Sequence, residues 1–299
     1  MTLSPEPLVS VVIPVLDGER HIQACMTSVL DQTYEHFEVV VADNASTDRT
    51  AEIARSFDDP RVRFLPNPTE RLSLHDNWTR GLSGAKGEFV KIVCHDDLLI
   101  PECLSVQVGL LRRYPSAALA CGRRRIIDDD NKVIVGARGL RHLAKPDGPR
   151  VASGGALARA CTRAGTNLLG EPAGVLIRRS FLPEPLFDPR WNYTIDIEFY
   201  MRCVRQSDAV VDNRVLCCFR VSHKQLSASL AGSQVNELRA LFTEMARRYP
   251  DDVSSADIWL GTARAHLLAR ARRMLYWQMR MQPSRSTRRD RREMPDGRQ

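Results

Sequence analysis

The stretch GEFVKIVCHDDL at residues 87–98 decides the fold, because a short apolar run within it ends abruptly in two adjacent carboxylates. Residues 89–94 are β-branched and aromatic and follow a glycine, a pattern typical of a strand buried in a parallel sheet. Asp96 and Asp97 come where this strand leaves the sheet, which is the edge where open α/β sheets bind ligands. Two adjacent like charges there are costly unless a cation joins them. The pair therefore indicates either a divalent-metal site or a solvated turn that caps a following helix.

The chain before this stretch repeats the same strand-then-acid pattern. Apolar runs at 8–15 and 37–42 end in Asp17 and Asp43, and a third, shorter run lies at 62–65. Helical periodicity separates the runs, at 20–31, 49–57 and 73–84. This alternation predicts right-handed βαβ units and a parallel sheet. Because parallel strands end at one edge, the acids are expected to meet there, which favours a site over scattered solvated turns.

The second part of the chain predicts a more mixed arrangement. A helix is expected at 101–114, and a hairpin of 117–121 and 132–135 around a solvated tip at Asp128–Asn131. Further strands are expected at 173–177 and 210–219. Helices are expected near 155–163, 199–204, 236–249 and 258–281, with a disordered end beyond Pro283.

Composition limits the class of protein. The 299 residues are 43% hydrophobic and 26% charged, as in an ordinary globular protein. No run is long enough for a membrane span, and the N-terminal apolar run is strand-like rather than signal-like. Eight cysteines without a CxxC pair favour a reduced, cytosolic compartment. From Arg264 onward the chain has eleven arginines and three acids, a net charge of 11 − 3 = +8, so the rest of the chain has a net charge of 7 − 8 = −1 and is close to neutral.

Five motifs resemble those of the family 2 glycosyltransferases, which have the GT-A fold. They are VSVVIPVLDGERHIQACMTSVLDQTYEHFEVVVADNASTDRT, AKGEFVKIVCHDDL, GEPAGVLIRRS, TIDIEFYMRC and FRVSHKQLSAS, spread over residues 9–229. The order and spacing of the motifs are more specific than any one of them. The resemblance implies an α/β fold with a Rossmann-like nucleotide-binding half, a mainly parallel central sheet flanked by helices, a smaller mixed acceptor half, and C-terminal helices.

The resemblance also implies a site for a nucleotide-diphospho-sugar donor. It assigns donor binding to Pro14, Val15, Asp17, Glu19, Asp43, Asn44, Asp96 and Arg220. Asp43 would hydrogen-bond the base, Asp96 would lie nearer the ribose, and Asp97, with Asp96, would coordinate Mn²⁺ or Mg²⁺ on the diphosphate. Carboxylate oxygens suit these hard ions. Many members carry another acid where this chain has His95, which puts in doubt how tightly the metal is held.

The second half is expected to supply the base. Asp196 and Glu198 lie where the sequence becomes helical, and a helix N-terminus stabilises ionised carboxylates. By resemblance Asp196 matches the general base and Glu198 a supporting acid, whereas Ile195 replaces the first acid of the family motif. A base close to the acceptor hydroxyl favours in-line displacement and inversion. His223 resembles a late histidine that approaches the metal in some members, and the loop at 170–174 resembles one near the sugars.

The prediction is therefore an inverting, metal-dependent glycosyltransferase that adds a single sugar to a saccharide or lipid-linked acceptor, in cell-surface polysaccharide or glycolipid synthesis. The motif of processive synthases is absent. The expected division is a catalytic domain at 1–232 (donor half 8–121, acceptor half 122–232), a helical extension at 233–282 and a disordered basic tail at 283–299. The alternatives are a sugar nucleotidyltransferase, a catalytically inactive sugar-binding module, and a nucleic-acid binder using the arginine-rich tail.

The helix at 258–281 carries arginines beside apolar residues. Such a basic amphipathic helix can lie on an anionic bilayer, or it can pack on the catalytic domain with its arginines solvated. The first alternative predicts a cytoplasmic protein that is peripheral on the inner face of the plasma membrane. Nucleic acid is not an expected partner, because the body of the chain is close to neutral.

Overall fold

The computed structural model describes residues 6–139, 143, 148–221 and 234–281, with side chains as far as Met274. The expected metal residue His223 and the expected disordered tail at 283–299 lie outside the described residues.

The first half is an alternation of strands and helices, as the sequence predicts. Its elements are β1 (Val9–Val15), α1 (Ile22–Leu30), β2 (Phe37–Asp43), α2 (Thr50–Arg55), β3 (Val62–Phe64), α3 (Leu74–Ser83), β4 (Phe89–Ile92), β5 (Leu98–Leu99) and α4 (Cys103–Arg113). Strands β1 to β4 are mutually parallel, in the order β3-β2-β1-β4. Every residue of β1 is buried, as expected for a strand covered on both faces.

The second half extends the same sheet with mixed pairing. Its elements are β6 (Ala117–Ile127), β7 (Val133–Arg138), β8 (Arg150–Ser153), α5 (Gly154–Ala164), β9 (Val175–Arg178), α6 (Ile195–Cys203), β10 (Asp208–Arg220), α7 (Gln234–Arg248) and α8 (Ser255–Met281). The order continues as β4-β9-β6-β10-β5, where β9 is antiparallel to both neighbours and β10 is parallel to β6. Short 3₁₀ turns flank β9 on both sides.

Two apolar layers cover the sheet. One layer holds α1 and α4 against one face, through residues such as Met26 and Leu104. The other joins α3, α5, α6 and α7 to the opposite face, through residues such as Trp78, Phe199 and Phe242. The fold is thus mixed α/β, with a central sheet flanked by helices.

The C-terminal helix α8 packs tightly on α5. A Cβ atom on Gly261 would lie 1.8 Å from the Thr162 carbonyl oxygen, so only glycine allows this crossing. On the same side of α8, Ala265 and Ala269 are buried, and Asp257 forms an ion pair with Arg163. Helix α8 therefore completes the core that α5 and α7 form.

The hairpin tip expected to be solvated at Asp128–Asn131 is only partly so: Asp130 and Asn131 are exposed, whereas Asp128 and Asp129 are half-buried. The hairpin itself is confirmed, since β6 and β7 pair antiparallel. Its tip, however, receives the Arg220 side chain, whose Nη1 and Nη2 donate to the Asp128 carbonyl and to Asn131 Oδ1, each at 2.6 Å. Asp129 also forms an ion pair with Arg20 at 3.4 Å and lies 3.4 Å from Nε2 of His21, whose pKa burial lowers to about 4.

Candidate active site

Asp97 is a buried carboxylate at the carboxyl edge of the sheet. Its exposed fraction is 1%, and Oδ1 accepts a hydrogen bond of 3.0 Å from the Arg220 backbone N–H. Burial, and next the charge of Asp96, raises the pKa of Asp97 well above its usual value. Helix α4 begins only at Cys103, with Glu102 as its N-cap, so Asp96 and Asp97 do not cap it. The helix-cap alternative is therefore excluded.

The residues around Asp97 fit a hard divalent cation. Ligand atoms of Cys94, Asp96 and Asp97 lie within 4.8 Å of one another. Burial raises the pKa of the Cys94 thiol, so this soft donor stays protonated while the two carboxylates offer oxygen. A cation bound there would offset the negative charge of Asp96, which contributes to the raised pKa of Asp97. Asp96 and Asp97 are thus the residues suited to hold Mn²⁺ or Mg²⁺.

Arg220 is used inside the protein in a way the sequence did not indicate. Its side chain is fully buried, and besides the hairpin tip its Nε donates to the Asp96 carbonyl oxygen at 2.8 Å. Burial lowers the pKa of this guanidinium. Arg220 therefore locks the hairpin tip onto the backbone of the acidic pair, and its expected contact with a phosphate stays a prediction.

The loop after β1 is held by a polar network. Pro14 and Val15 are buried at the end of β1, opposite Ala42 and Asp43. Asp17 has a φ of 47°, accepts from the Thr47 N–H at 2.8 Å and pairs with Arg71 at 2.8 Å.

The turn continues with similar contacts. The Glu19 N–H donates to Asp48, and the Glu19 carboxylate accepts from the Arg49 N–H at 3.1 Å. A Cβ on Gly18 would lie 2.5 Å from the His95 ring, so His95 packs on this turn.

Asp43 and Asn44 continue this network at the end of β2. Asp43 is buried and accepts from the Ser46 hydroxyl at 2.5 Å and from Asn67 at 3.3 Å. Asn44 exchanges two hydrogen bonds with the Leu72 backbone, at 2.8 and 2.9 Å. The amide of Asn44 thus fixes the 67–72 segment, while the second oxygen of Asp43 has a long, weak partner.

Asp196 lies in the first turn of α6, as expected. Its Oδ2 accepts from Asn167 Nδ2 at 2.8 Å, and its Oδ1 accepts from the Ile197 N–H at 2.7 Å. Burial raises its pKa to about 7, against the lowering effect of these hydrogen bonds. A carboxylate with this pKa accepts a proton readily near neutral pH.

Glu198 points elsewhere. Its carboxylate is 1% exposed and pairs with Arg202 at 2.9 Å and with Arg248 at 3.2 Å. Arg248 belongs to α7, so Glu198 ties α6 to α7 rather than facing the same space as Asp196. These contacts do not support the expected role of Glu198 as a supporting acid.

Two further residues near Asp196, Asn167 and Arg124, are not indicated as site residues by any pattern in the sequence. Asn167 links Asp196 to the loop at 170–174, and Arg124 on β6 forms an ion pair with Glu171 of that loop. An asparagine three residues before a glycine indicates a turn. Nothing in its spacing connects it with an acid far along the chain.

The fold and the acid-lined sheet edge define a GT-A-type domain, and comparisons with known proteins agree. The model of glycosyl transferase family 2 matches residues 10–180, which is more than half of the chain. The chain therefore belongs to glycosyl transferase family 2. This membership decides against the nucleotidyltransferase and nucleic-acid-binding alternatives for the catalytic domain.

Relatives and solved structures are similar to the chain over most of its length. An uncharacterised protein of Mycobacterium tuberculosis is 33% identical over 68% of this chain and 63% of its own length. An uncharacterised glycosyltransferase of Rickettsia typhi is 27% identical over 81% of this chain and 72% of its own length. The chain thus spans less than two thirds of the mycobacterial relative.

Two solved structures share the fold. Staphylococcus aureus TarS 1–349 in complex with UDP-GlcNAc superimposes with a TM-score of 0.63 at 16% identity, covering 81% of this chain and 70% of that one. The mannosyltransferase PcManGT of Pyrobaculum calidifontis, in complex with GDP-Man and Mn²⁺, gives 0.61 at 21% identity, covering 90% and 76%. Among the described helices, none is both long and apolar enough to cross a membrane.

Proposed function

We propose that this chain transfers one sugar from a nucleotide-diphospho-sugar to a hydroxyl of a saccharide or lipid-linked acceptor, with inversion at the anomeric carbon. The observation that carries the proposal is a pair of acids that both feel the charge of Glu171: Asp97, buried after β4 with a strongly raised pKa, and Asp196, half-buried in the first turn of α6 with a pKa of about 7. The family membership supports the reaction class. We keep cell-surface polysaccharide or glycolipid synthesis as the proposed pathway.

In this proposal the acids at the ends of β1, β2 and β4 bind the donor. Asp43 receives the base, and the turn at 14–19 together with Asn44 borders the nucleotide. Asp96 and Asp97 hold Mn²⁺ or Mg²⁺, which when bound offsets the charge that develops on the departing diphosphate. The complexes of the two structural neighbours, with UDP-GlcNAc and with GDP-Man and Mn²⁺, support this class of donor. Arg220 acts by fixing Asp96 and Asp97, and His223 is kept as a further metal ligand.

Asp196 acts as the general base. It removes the proton of the attacking acceptor hydroxyl while the bond from the anomeric carbon to the diphosphate oxygen breaks. Attack from the face opposite the leaving group gives inversion. Asn167 holds Oδ2 of Asp196 so that the carboxylate keeps one orientation during this step.

The domain division at 232 is kept as a proposal about function rather than folding. Residues 8–121 would bind the donor and 122–232 the acceptor. Helices α7 and α8 would support the acceptor half, because Phe242 and Ala265 belong to the apolar layer that also contains Phe199 of α6.

The proposal also includes contact with an anionic membrane surface through α8. The side of α8 opposite Gly261 and Ala265 exposes large apolar residues: Trp259 is 75% exposed, Leu267 63% and Met274 64%. Arg264 and Arg270 lie between them in the sequence, and no acid follows Asp257 until Asp290. Exposed apolar side chains beside cations suit the boundary of a bilayer with anionic headgroups. This supports a peripheral location on a cytoplasmic leaflet.

Vesicle sedimentation tests the membrane proposal. The triple variant Trp259→Gln, Leu267→Gln, Met274→Gln should lose binding to vesicles containing phosphatidylglycerol, and neither protein should bind neutral phosphatidylcholine vesicles. The control is Val133→Thr, which removes an exposed apolar residue from β7. Equal sedimentation of the triple variant and the wild type would overturn the proposal. Self-association of the wild type that is lost in the triple variant would instead identify a second copy as the partner.

The reaction is tested by assaying sugar transfer with UDP-, GDP- and dTDP-sugars and Mn²⁺. Asp97→Ala and Asp196→Asn should each abolish transfer, and only Asp97→Ala should weaken metal-dependent nucleotide binding. Near wild-type turnover in Asp196→Asn would remove Asp196 as the base.

A further inference from the structure

The ion pair between Arg124 and Glu171 lies next to the proposed base. Arg124 is on β6 and Glu171 on the loop before β9, and Arg124 Nε meets the Glu171 carboxylate with both side chains largely buried, 14% and 20% exposed. Glu171 acts electrostatically on Asp97 as well as on Asp196, so its charge influences both acids of the site. Neither partner has a role in the proposed function described above.

The backbone around Arg124 is shaped to admit its guanidinium. Gly139 and Gly170 both have positive φ, 85° and 103°. A Cβ atom would lie 2.8 Å from Arg124 Nη1 at Gly139 and 3.5 Å at Gly170. Side chains are strained in this region of φ, so glycine is favoured at both positions. The two glycines thus leave a narrow space that the Arg124 guanidinium occupies.

Asn167 fastens this pair to the base. Its Nδ2 donates to Asp196 Oδ2 at 2.8 Å and to the Gly170 carbonyl at 2.9 Å, and its Oδ1 accepts from the Gly170 N–H at 3.2 Å. Gly170 is adjacent to Glu171. A displacement of Glu171 would therefore reach the Asp196 carboxylate through the backbone of Gly170 and the side chain of Asn167.

We propose that the Arg124–Glu171 ion pair is a positioning element for the base, which sets the charge beside Asp196 and, through Asn167, the orientation of its carboxylate. The inference rests on the proposed function, in which Asp196 takes the acceptor proton. Glu171 disfavours the ionised form of Asp196 and Arg124 favours it. The two opposite charges thus keep the pKa of Asp196 high enough for the carboxylate to accept a proton and low enough for it to be ionised near neutral pH.

Three further titratable groups among the described residues, Cys94, Cys161 and Tyr200, interact electrostatically with Asp196, and none of the three is charged near neutral pH. Burial raises the pKa of the Cys94 and Cys161 thiols and that of the Tyr200 phenol. Glu171 and Arg124 are therefore the two charged side chains among the main influences on the pKa of Asp196. Removing the charge of Glu171 should lower the pKa of Asp196, and removing that of Arg124 should raise it. A role in packing alone would not produce these opposite shifts.

The test follows kcat against pH with saturating donor and Mn²⁺. Turnover needs ionised Asp196, so the acidic limb reports its pKa. Glu171→Gln should move this limb to lower pH and Arg124→Met to higher pH, each by about half a unit. The double variant should lie between the single variants, and Arg124→Lys should lie closer to the wild type than Arg124→Met. The matched control is Arg178→Met, which breaks the Arg178–Glu88 pair at the opposite edge of the sheet.

A second measurement, of stability against pH, needs no acceptor. It distinguishes a failure of this inference from a failure of the proposed function. Because the folded-state pKa of Asp196 is raised from 3.8 to about 7, the wild type should lose stability relative to Asp196→Asn as pH rises through this interval. Introducing Glu171→Gln into both proteins should lower the pH at which that difference levels off. An unmoved transition, together with an unmoved kinetic limb, would overturn the inference. A shifted stability transition in a protein without transfer activity would contradict the proposed function instead.

Discussion

At the scale of the residue, the site consists of carboxylates whose burial disfavours their charge. Asp97 is 1% exposed, and its partners include the Arg220 N–H and the like charge of Asp96. Burial of an ionised carboxylate costs free energy unless another interaction compensates for it. A cation bound by Asp96 and Asp97 is the compensation that the chemistry of the site suggests.

The first prediction concerns Asp97 in the metal-free protein. Its raised pKa means that the folded state holds the proton more tightly than the unfolded state, so stability falls as pH rises above about 4. Asp97→Asn should remove most of this fall, making the variant at least as stable as the wild type at pH 8. Urea unfolding at pH 5 and pH 8, with and without Mn²⁺, measures it, and Asp130→Asn at the exposed hairpin position is the control. A steeper fall in Asp97→Asn would contradict the assignment.

The second prediction concerns Asp196. With an Asp196 pKa of about 7, the wild-type kcat should be half-maximal near pH 7 and level off at more alkaline pH. Asp196→Asn should abolish measurable transfer, a loss in kcat of at least about a thousandfold that is within the range of general-base effects, and leave donor affinity unchanged. Steady-state kinetics and calorimetry on the same preparations check both parts. A parallel loss of donor binding would indicate a structural role.

At the scale of the element, periodicity predicted most helices and strands, because their apolar faces repeat within single segments. Strands β5 and β8 were missed, since β5 has two residues and β8 has exposed Arg150 and Val151. Both depend on pairing with β10, which is distant in sequence. The acids at the strand ends were placed correctly because each follows its strand directly in the sequence.

The partners of Arg220, Glu198 and Asn167 could not be predicted from the sequence, because these partners belong to elements that are distant along the chain.

The third prediction concerns the junction of α6 and α7. Glu198 is buried between Arg202 and Arg248, and breaking a buried ion pair typically costs about 3 kcal/mol. Glu198→Gln should therefore lower the free energy of unfolding by an amount of this order while kcat stays close to that of the wild type. Denaturant unfolding and turnover of the same protein decide it. A large loss of kcat with unchanged stability would restore Glu198 to the catalytic machinery.

At the scale of the whole molecule, α8 has two different sides. One side fits the body through small residues, since Gly261 touches the Thr162 backbone and Ala265 and Ala269 are buried. The other exposes Trp259, Leu267 and Met274. Sequence periodicity alone had suggested that the helix either packs or binds a membrane. The structure shows that it packs and still leaves a large apolar face uncovered among the described residues.

The fourth prediction tests this packing. Gly261→Ala would place a methyl group 1.8 Å from a backbone oxygen, so α8 must shift and the melting temperature should fall by several degrees. Gly109→Ala in α4 is the matched control, because nothing lies within 4 Å of its added methyl group. The control should be stabilised by up to about 1 kcal/mol, the usual gain of alanine over glycine in a helix. Equal melting temperatures for the two variants would contradict the close crossing of α5 and α8.

The central claim is that Asp97 at the end of β4 binds a metal-bound nucleotide diphosphate. Isothermal titration calorimetry with UDP, GDP and dTDP, each with Mn²⁺ and with EDTA, tests it most directly on the wild type and on Asp97→Asn. We expect at least one nucleotide to bind the wild type in a manganese-dependent way, and Asp97→Asn to weaken this binding at least about tenfold, or about 1.4 kcal/mol. Binding of none of the three nucleotides, or binding that is equal in the variant, would contradict it.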